Sequence, residues 1–265
     1  PGTRGGAIMA DDISVRPGGQ FHQFNQSHPA DRDAVAVAIA VCWFGLLSGF
    51  IPDMLYQYGR AHGYVPSAHV HAASAFGWML LVSWQALKIR QGDPAAHGRN
   101  GHRFGPILAV ILVSSALATV WTADRAAMAA PGSTFNPAKL AFQLGHIIPF
   151  GVLTAIALSR TDRPDLHKRL MLLAVFAILD TGWSRWLGRD LTVVLGKGPA
   201  LEVLGRFPLT WALMAGMALY DRRTRGRIHP AFLPAAGLIL VTQVGAAALY
   251  FAPWWPAVAV RILGG

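Results

Sequence analysis

Ionisable side chains within long apolar runs are the residues of this sequence best suited to chemistry. His69 and His71 stand near the start of one run. His146 lies inside a second run and Asp180 inside a third. A polar group in such surroundings costs several kcal/mol unless it has a partner. We therefore expect each of these residues to contact a bound ligand or a polar neighbour.

His71, His146 and Asp180 form a two-histidine, one-carboxylate set. Non-haem iron uses this combination of ligands, and zinc accepts it. All three fall in the same half of the expected bilayer, and the assignment rests on this shared depth because no motif such as H-E-x-x-H is present. His69 and His71 point about 200° apart on a helix, so only one of them faces the interior of a bundle.

Asp180 needs a partner because it stands alone on an otherwise apolar run. The two candidates at its depth are Arg206 and His146. Glu202 and Arg206 are four residues apart, a spacing that pairs them on one face of a helix. The sequence thus predicts a buried polar group made of Asp180, Arg206 and Glu202.

Two further histidines open apolar runs beside basic residues. The two signatures are His102-Arg103-Phe104-Gly105 and His167-Lys168-Arg169-Leu170-Met171. An alternative is that both histidines are interfacial residues among the basic charges that border a membrane. The other histidines fall in the expected tail and loops and are predicted to be solvated: His22, His28, His62, His97 and His229.

The signatures His102-Arg103-x-Gly105 and His167-Lys168-Arg169-Leu170-Met171 resemble those of uncharacterised multi-pass bacterial membrane protein families, known as domains of unknown function. More distantly, the placement of histidines on alternate runs is similar to that of the transmembrane di-haem b-type cytochromes. In those proteins each of two stacked haems is held by two histidines from non-adjacent helices, and electrons cross the membrane through the haems. This resemblance implies haem b as a cofactor.

The resemblance also implies ligands when it is carried over by position. His71 (or His69) with His146 would hold the outer haem. His102 with His167 would hold the inner haem, and the cations beside them, Arg103, Lys168 and Arg169, would bind its propionates. One departure concerns depth. His71 and His146 differ by about 8–9 Å if their helices start level, whereas two axial ligands need similar heights.

The elements that must position these residues are membrane helices. Of the 265 residues, 53% are hydrophobic and 14% are charged, against about 25% charged in an ordinary soluble domain. This composition excludes a disordered chain, a collagen and a disulfide scaffold, and the single cysteine, Cys42, cannot form an internal disulfide. An integral membrane protein remains.

The pattern predicts an all-α, polytopic transmembrane helix bundle over residues 34–265, preceded by a polar extramembrane tail over residues 1–33. Each apolar run has about 18 to 23 residues, enough to cross a hydrocarbon core of about 30 Å. About seven spans follow, or six if the first run only lies in the interface. The runs are 34–51, 67–89, 102–121, 137–158, 166–187, 199–220 and 231–251.

The net charge of +10 lies in short clusters between the runs, which favours a membrane protein over a nucleic-acid binder. The richest clusters, within 88–103, 160–169 and 222–227, are predicted to be cytoplasmic, with both termini on the outer, periplasmic side of a bacterial inner membrane. Tryptophans at the other span ends agree with this orientation: Trp121, Trp183, Trp186, Trp254 and Trp255.

Two functional classes remain open. The first is an electron-transfer protein that binds haem b, or alternatively non-haem iron or zinc, and acts with a quinone or a periplasmic partner. The second is an accessory or assembly subunit of a larger membrane complex that binds no cofactor and whose polar residues only fix helix packing. The lipid bilayer is the expected surrounding in both classes, and nucleic acid is expected in neither.

Overall fold

The chain forms a bundle of helices in the computed structural model, which describes residues 23–24, 28–58, 64–196 and 198–264. These ranges contain no strand, so the all-α prediction is confirmed for them. The helices are α1 (Asp31–Tyr58), α2 (Pro66–Arg90), α3 (Pro94–Ala129), α4 (Leu140–Ser159), α5 (Pro164–Ala177), α6 (Asp180–Leu195), α7 (Pro199–Leu204), α8 (Pro208–Arg225), α9 (Phe232–Phe251) and α10 (Trp255–Leu263). A short 3₁₀ turn, Pro137–Lys139, precedes α4.

Local sequence explains several of the helix starts. A proline at the first turn begins α2, α3 and α5, where its missing N–H has no intrahelical partner to lose. Asp93 caps α3 by accepting a hydrogen bond from the backbone N–H of Ala96. Asn136 caps the 3₁₀ turn in the same way through Ala138. Helix α1 begins at Asp31, two residues before the predicted end of the polar tail. Residues 1–22 and 25–27 of that tail lie outside the described residues.

Five helical stretches are long and apolar enough to cross a membrane. They are Asp31–Tyr58, Pro94–Ala129, Pro137–Ser159, Pro164–Gly188 and Phe232–Phe251. The protein is therefore a multi-pass membrane protein. Helices α2 and α8, which correspond to the second and sixth predicted spans, do not belong to these five, so the number seven stays a prediction.

One end of the bundle, here called the basic end, is where α2, α4 and α8 finish and α3, α5 and α9 begin. Asp31, at the start of α1, lies there too, because its carboxylate accepts hydrogen bonds from Lys168 at 2.9 Å and from Arg225 at 2.8 Å. The short helix α10 lies at the opposite end, where Arg125 donates to the carbonyl of Leu263. The prediction that both termini lie on the side away from the basic loops is therefore wrong for the N-terminal end of α1.

Helices α5 and α6 form one continuous helical stretch with a kink between them. Ile178 and Leu179 leave the α-helical pattern and make i→i+3 hydrogen bonds to Val175 and Phe176. The carbonyl of Phe176 also accepts a hydrogen bond from the Thr210 hydroxyl of α8, at 2.9 Å. Insertion of a side-chain donor of this kind is a known cause of helix bending. The bend places Asp180 at the start of α6, inside the bundle.

Close packing of glycines holds α6 against α1. A Cβ atom at Gly49 would overlap the backbone carbonyl of Gly182, so no larger residue fits there. A Cβ at Gly45 would come within 2.8 Å of the Trp183 indole nitrogen. Membrane helices use small residues in this way to let their backbones approach. The contact fixes α6, and with it Asp180.

The orientation of the bundle is testable with single added cysteines. Cys42 is fully buried and gives little background labelling. We expect Thr134→Cys, in the turn that follows α3, to react with a membrane-impermeant maleimide in intact cells, because positive loops stay cytoplasmic. The matched variant Arg223→Cys, exposed at the basic end, should react only after permeabilisation. The reverse pattern would contradict the cytoplasmic assignment of the basic end.

Candidate functional site

His71 and His146 lie in the half of the bundle away from the basic end, and are called here the outer histidine pair. They are close enough for their charges to interact. His71 is half-buried on α2, and its Nδ1 lies 3.4 Å from the Ser115 hydroxyl of α3. Ser115 in turn lies 3.0 Å from the hydroxyl of Ser74, so two hydroxyls fix the side of the ring that faces α3.

His146 stands against Asp180. Its Nδ1 lies 3.7 Å from Asp180 Oδ1, within ion-pair range but longer than a hydrogen bond. The side chains are 17% and 6% exposed, and neither of these two atoms has a hydrogen-bond partner. Of the two predicted partners of Asp180, Arg206 and His146, the structure brings His146 next to it, but at ion-pair distance and not within the predicted hydrogen-bond reach.

The two histidines near the start of α2 point in different directions, as their spacing predicts. His69 is exposed and makes an edge contact with the Tyr64 ring at 6.1 Å. His71 turns inward. On α4, Gly145 brings His146 into place, because a Cβ there would lie 2.8 Å from Ala246 and 3.2 Å from the Thr242 carbonyl of α9. The small residue thus lets α4 pack closely on α9.

Arg206 and Glu202 pair with each other and not with Asp180. Two guanidinium nitrogens of Arg206 donate to one oxygen of Glu202, at 2.9 and 2.6 Å, and the guanidinium lies 4.3 Å from the Phe142 ring centre. The predicted i,i+4 pair is therefore formed. The predicted three-membered group of Asp180, Arg206 and Glu202 is not.

The described residues hold no group of three or more histidine, cysteine or acidic side chains close enough to bind one metal ion. His146 thus lies near Asp180 and within charge-interaction range of His71, but the three side chains do not form one cluster. The three-ligand iron or zinc site stays a prediction.

At the basic end, three histidines lie together. His167 directs Nδ1 to the Ala157 carbonyl at 2.8 Å, and His102 directs Nδ1 to the Gly98 carbonyl at 2.9 Å. His97 also takes part: its Nδ1 lies 3.4 Å from the Gln85 carbonyl, and its ring centre is 6.2 Å from that of His167. The prediction of a solvated loop position for His97 is wrong, because the Asp93 cap starts α3 before it.

The cations predicted to bind haem propionates are mostly paired with carboxylates of the protein. Arg169 donates Nε to Asp221 at 2.8 Å and also bonds to it through Nη2; the two side chains are 4% and 1% exposed. Lys168 donates to Asp31. Arg103 is exposed over the Phe104 ring. Arg169 therefore does not fit the predicted role, since Asp221 neutralises its charge, and Lys168 is held by Asp31, which it shares with Arg225.

His229 shows how a purely structural histidine is held in this fold. Its Nε2 lies 3.1 Å from Asp165 Oδ2, and its Nδ1 accepts a hydrogen bond from the backbone N–H of Ala231. The Phe24 ring packs edge-on against it at 4.7 Å. Burial lowers the pKa of His229 below its usual 6.5. The prediction that His229 is solvated is wrong; His28 also lies in a contact, edge-on to Tyr220, whereas His22 and His62 lie outside the described residues.

The histidines of the two groups differ from His229 in one respect. All five turn Nδ1 toward an oxygen of the protein. Within the described part of the chain, Nε2 is without a hydrogen bond in four of them, and that of His102 lies at the limit, 3.5 Å from the Thr161 hydroxyl. Metal-ligating histidines are held in this way, with one nitrogen fixed by an oxygen and the other available. The five are His71, His146, His97, His102 and His167.

Searches with protein-family models, against curated proteins and against solved structures find no match to this chain. The functional argument therefore depends on the geometry of the two histidine groups.

The buried ion pair at the basic end gives a stability prediction. Asp221→Ala leaves the Arg169 guanidinium buried without its carboxylate, which should lower the free energy of unfolding by about 3–5 kcal/mol. The matched control is Asp33→Ala, which removes an exposed ion pair: the side chains of Arg90 and Asp33 are 53% and 67% exposed. Its loss should lower the free energy of unfolding by less than about 1 kcal/mol. Unfolding in mixed micelles, followed by circular dichroism, measures both. Equal losses in the two variants would contradict the importance of the buried pair.

Proposed function

We propose that this protein is a membrane electron carrier that binds haem b through the outer histidine pair. One observation carries the proposal. His71 and His146 come from different helices and are close enough for their charges to interact, and each has Nδ1 directed to a protein oxygen while Nε2 has no hydrogen bond within the described residues. Two imidazoles held in this way could both bind a haem iron.

The residues around the pair fit this role. Asp180 stands behind His146 and would orient its ring and increase its basicity, as carboxylates do behind metal-bound histidines. Ser115 does the same for His71. When bound, haem would supply one-electron redox chemistry.

A second haem at the basic end has less support. His167 and either His102 or His97 could supply its ligands, since all three rings have the same Nδ1 arrangement. The propionates, however, would meet only Arg103, because Lys168 and Arg169 are paired with Asp31 and Asp221. We therefore place the cofactor in the outer half and treat the basic-end histidines as a secondary site.

The proposal also covers the number of membrane passes and the orientation of the protein in the membrane. Seven passes follow if α2 and α8 cross the bilayer beside the five candidate spans, and the basic end then faces the cytoplasm of a bacterial inner membrane. The outer haem would lie near the periplasmic face. A quinone in the bilayer or a periplasmic protein is the expected electron partner.

A second function, that of an accessory or assembly subunit without cofactor, is favoured by a different observation. The basic end is held together by ion pairs and hydrogen bonds around Asp31, which accepts from Lys168, Tyr220 and Arg225. These contacts fix α1, α5 and α8 with no need for a bound group. In this case the purified protein is colourless.

Absorption spectroscopy of the purified full chain distinguishes the two functions. We expect a Soret band and, after reduction with dithionite, sharp α and β bands. His71→Ala and His146→Ala should each lose or shift these bands because an axial ligand is removed. His69→Ala is the matched control, since His69 lies two residues from His71 but points outward, and its spectrum should match that of the unchanged protein.

The outcome that contradicts the proposal is a haem spectrum that His146→Ala leaves unchanged, or a colourless protein from haem-supplied cells. Metal analysis of the same sample then separates the alternatives. Iron or zinc in equal amount to a colourless protein would favour the His71, His146 and Asp180 set, and absence of metal would favour the accessory subunit.

A further inference from the structure

A buried acid on α3 and a half-buried amide on α4 face each other. Asp124 is 4% exposed. Its Oδ1 accepts a hydrogen bond from Gln143 Nε2 at 3.2 Å. Five residues separate Asp124 from the end of α3 at Ala129, so it lies about 7.5 Å along the helix from that end.

The other two polar atoms of this pair are both without partners. Asp124 Oδ2 and Gln143 Oε1 are buried, and neither makes a hydrogen bond. If Asp124 is ionised, both atoms are acceptors, and the bundle leaves two buried acceptors unsatisfied on neighbouring groups. Such atoms cost about 1–3 kcal/mol each.

Nearby charged groups do not pair with Asp124. The charge of Lys139 acts on Asp124, but its ammonium group lies over the Phe135 ring and makes no ion pair within the described residues. Arg125, next along α3, donates to the Leu263 carbonyl and covers the Trp121 ring. His146, three residues after Gln143 on α4, stands against Asp180. The carboxyl group therefore has no described cation to neutralise it.

We propose that Asp124 and Gln143 form a proton-binding site. One proton on Asp124 Oδ2 lets that oxygen donate to Gln143 Oε1, while Gln143 Nε2 donates to Oδ1. The acid and the amide are then joined by two hydrogen bonds in a ring, and every polar atom of both groups is satisfied. The site holds a neutral carboxylic acid at neutral pH, near the end of the bundle opposite the basic end. It is independent of whether the outer histidine pair binds haem.

Infrared spectroscopy of the full protein in detergent tests this site. We expect a carboxylic-acid C=O stretching band at neutral pH that shifts down in D₂O. Asp124→Asn should abolish it, and Gln143→Leu should shift it to higher frequency, because the acid loses its hydrogen-bonding partner. Asp53→Asn is the control: the Asp53 carboxyl group accepts a hydrogen bond from Tyr64 and forms an ion pair with Arg185, so its replacement should leave the band unchanged.

Thermal stability gives a second readout with opposite signs for the two asparagine variants. An asparagine at 124 presents one donor and one acceptor to Gln143, as the protonated acid does, so Asp124→Asn should keep or raise the melting temperature. Asp53→Asn should lower it, since the charge on Arg185 loses its partner. The absence of an acid band in the unchanged protein, an acid band that survives in Asp124→Asn, or failure of Asp124→Asn to fold would each overturn the proposal.

Discussion

Every polar group that enters the interior of this bundle must find its partner within the protein, and the arrangement of the helices follows from that constraint. Arg169 and Asp221 meet as a fully buried pair between α5 and α8. Asp31 brings the start of α1 to the same end through Lys168 and Arg225. Without water to solvate these charges, removing one member leaves the other at high cost. The basic end is thereby fixed, and the outer half is free to carry unpaired groups.

The two halves of the molecule accordingly differ. Most polar atoms at the basic end are bonded, as in the contacts of His229 with Asp165 and with the Ala231 backbone, although Arg225 Nε has no partner. The outer half instead holds buried atoms without partners, among them His146 Nδ1, Asp180 Oδ1 and Asp124 Oδ2. Unsatisfied buried groups are costly, and their concentration in one half is typical of a site that binds something. The haem and proton proposals both start from this asymmetry.

Helix geometry connects the fold to these sites. The bend between α5 and α6, held by Thr210, places Asp180 behind His146. The close glycine contact between Gly49 and Gly182 then keeps α6 against α1. Both features are backbone effects. They position the Asp180 side chain, because the apolar residues around it offer packing contacts and no hydrogen bonds.

The sequence by itself determined the all-α membrane class, the charge difference between the two ends, and the pairing of Glu202 with Arg206, because these depend on composition and on spacing within one helix. Depth along the helices reduced the possible partners of Asp180 to two, Arg206 and His146. Only the tertiary structure decided between them, buried His229, brought His97 next to His167, placed Asp31 at the basic end, and joined Asp124 to Gln143. Those outcomes depend on which faces of separate helices meet, and periodicity along one helix carries no information about its neighbour's rotation or height.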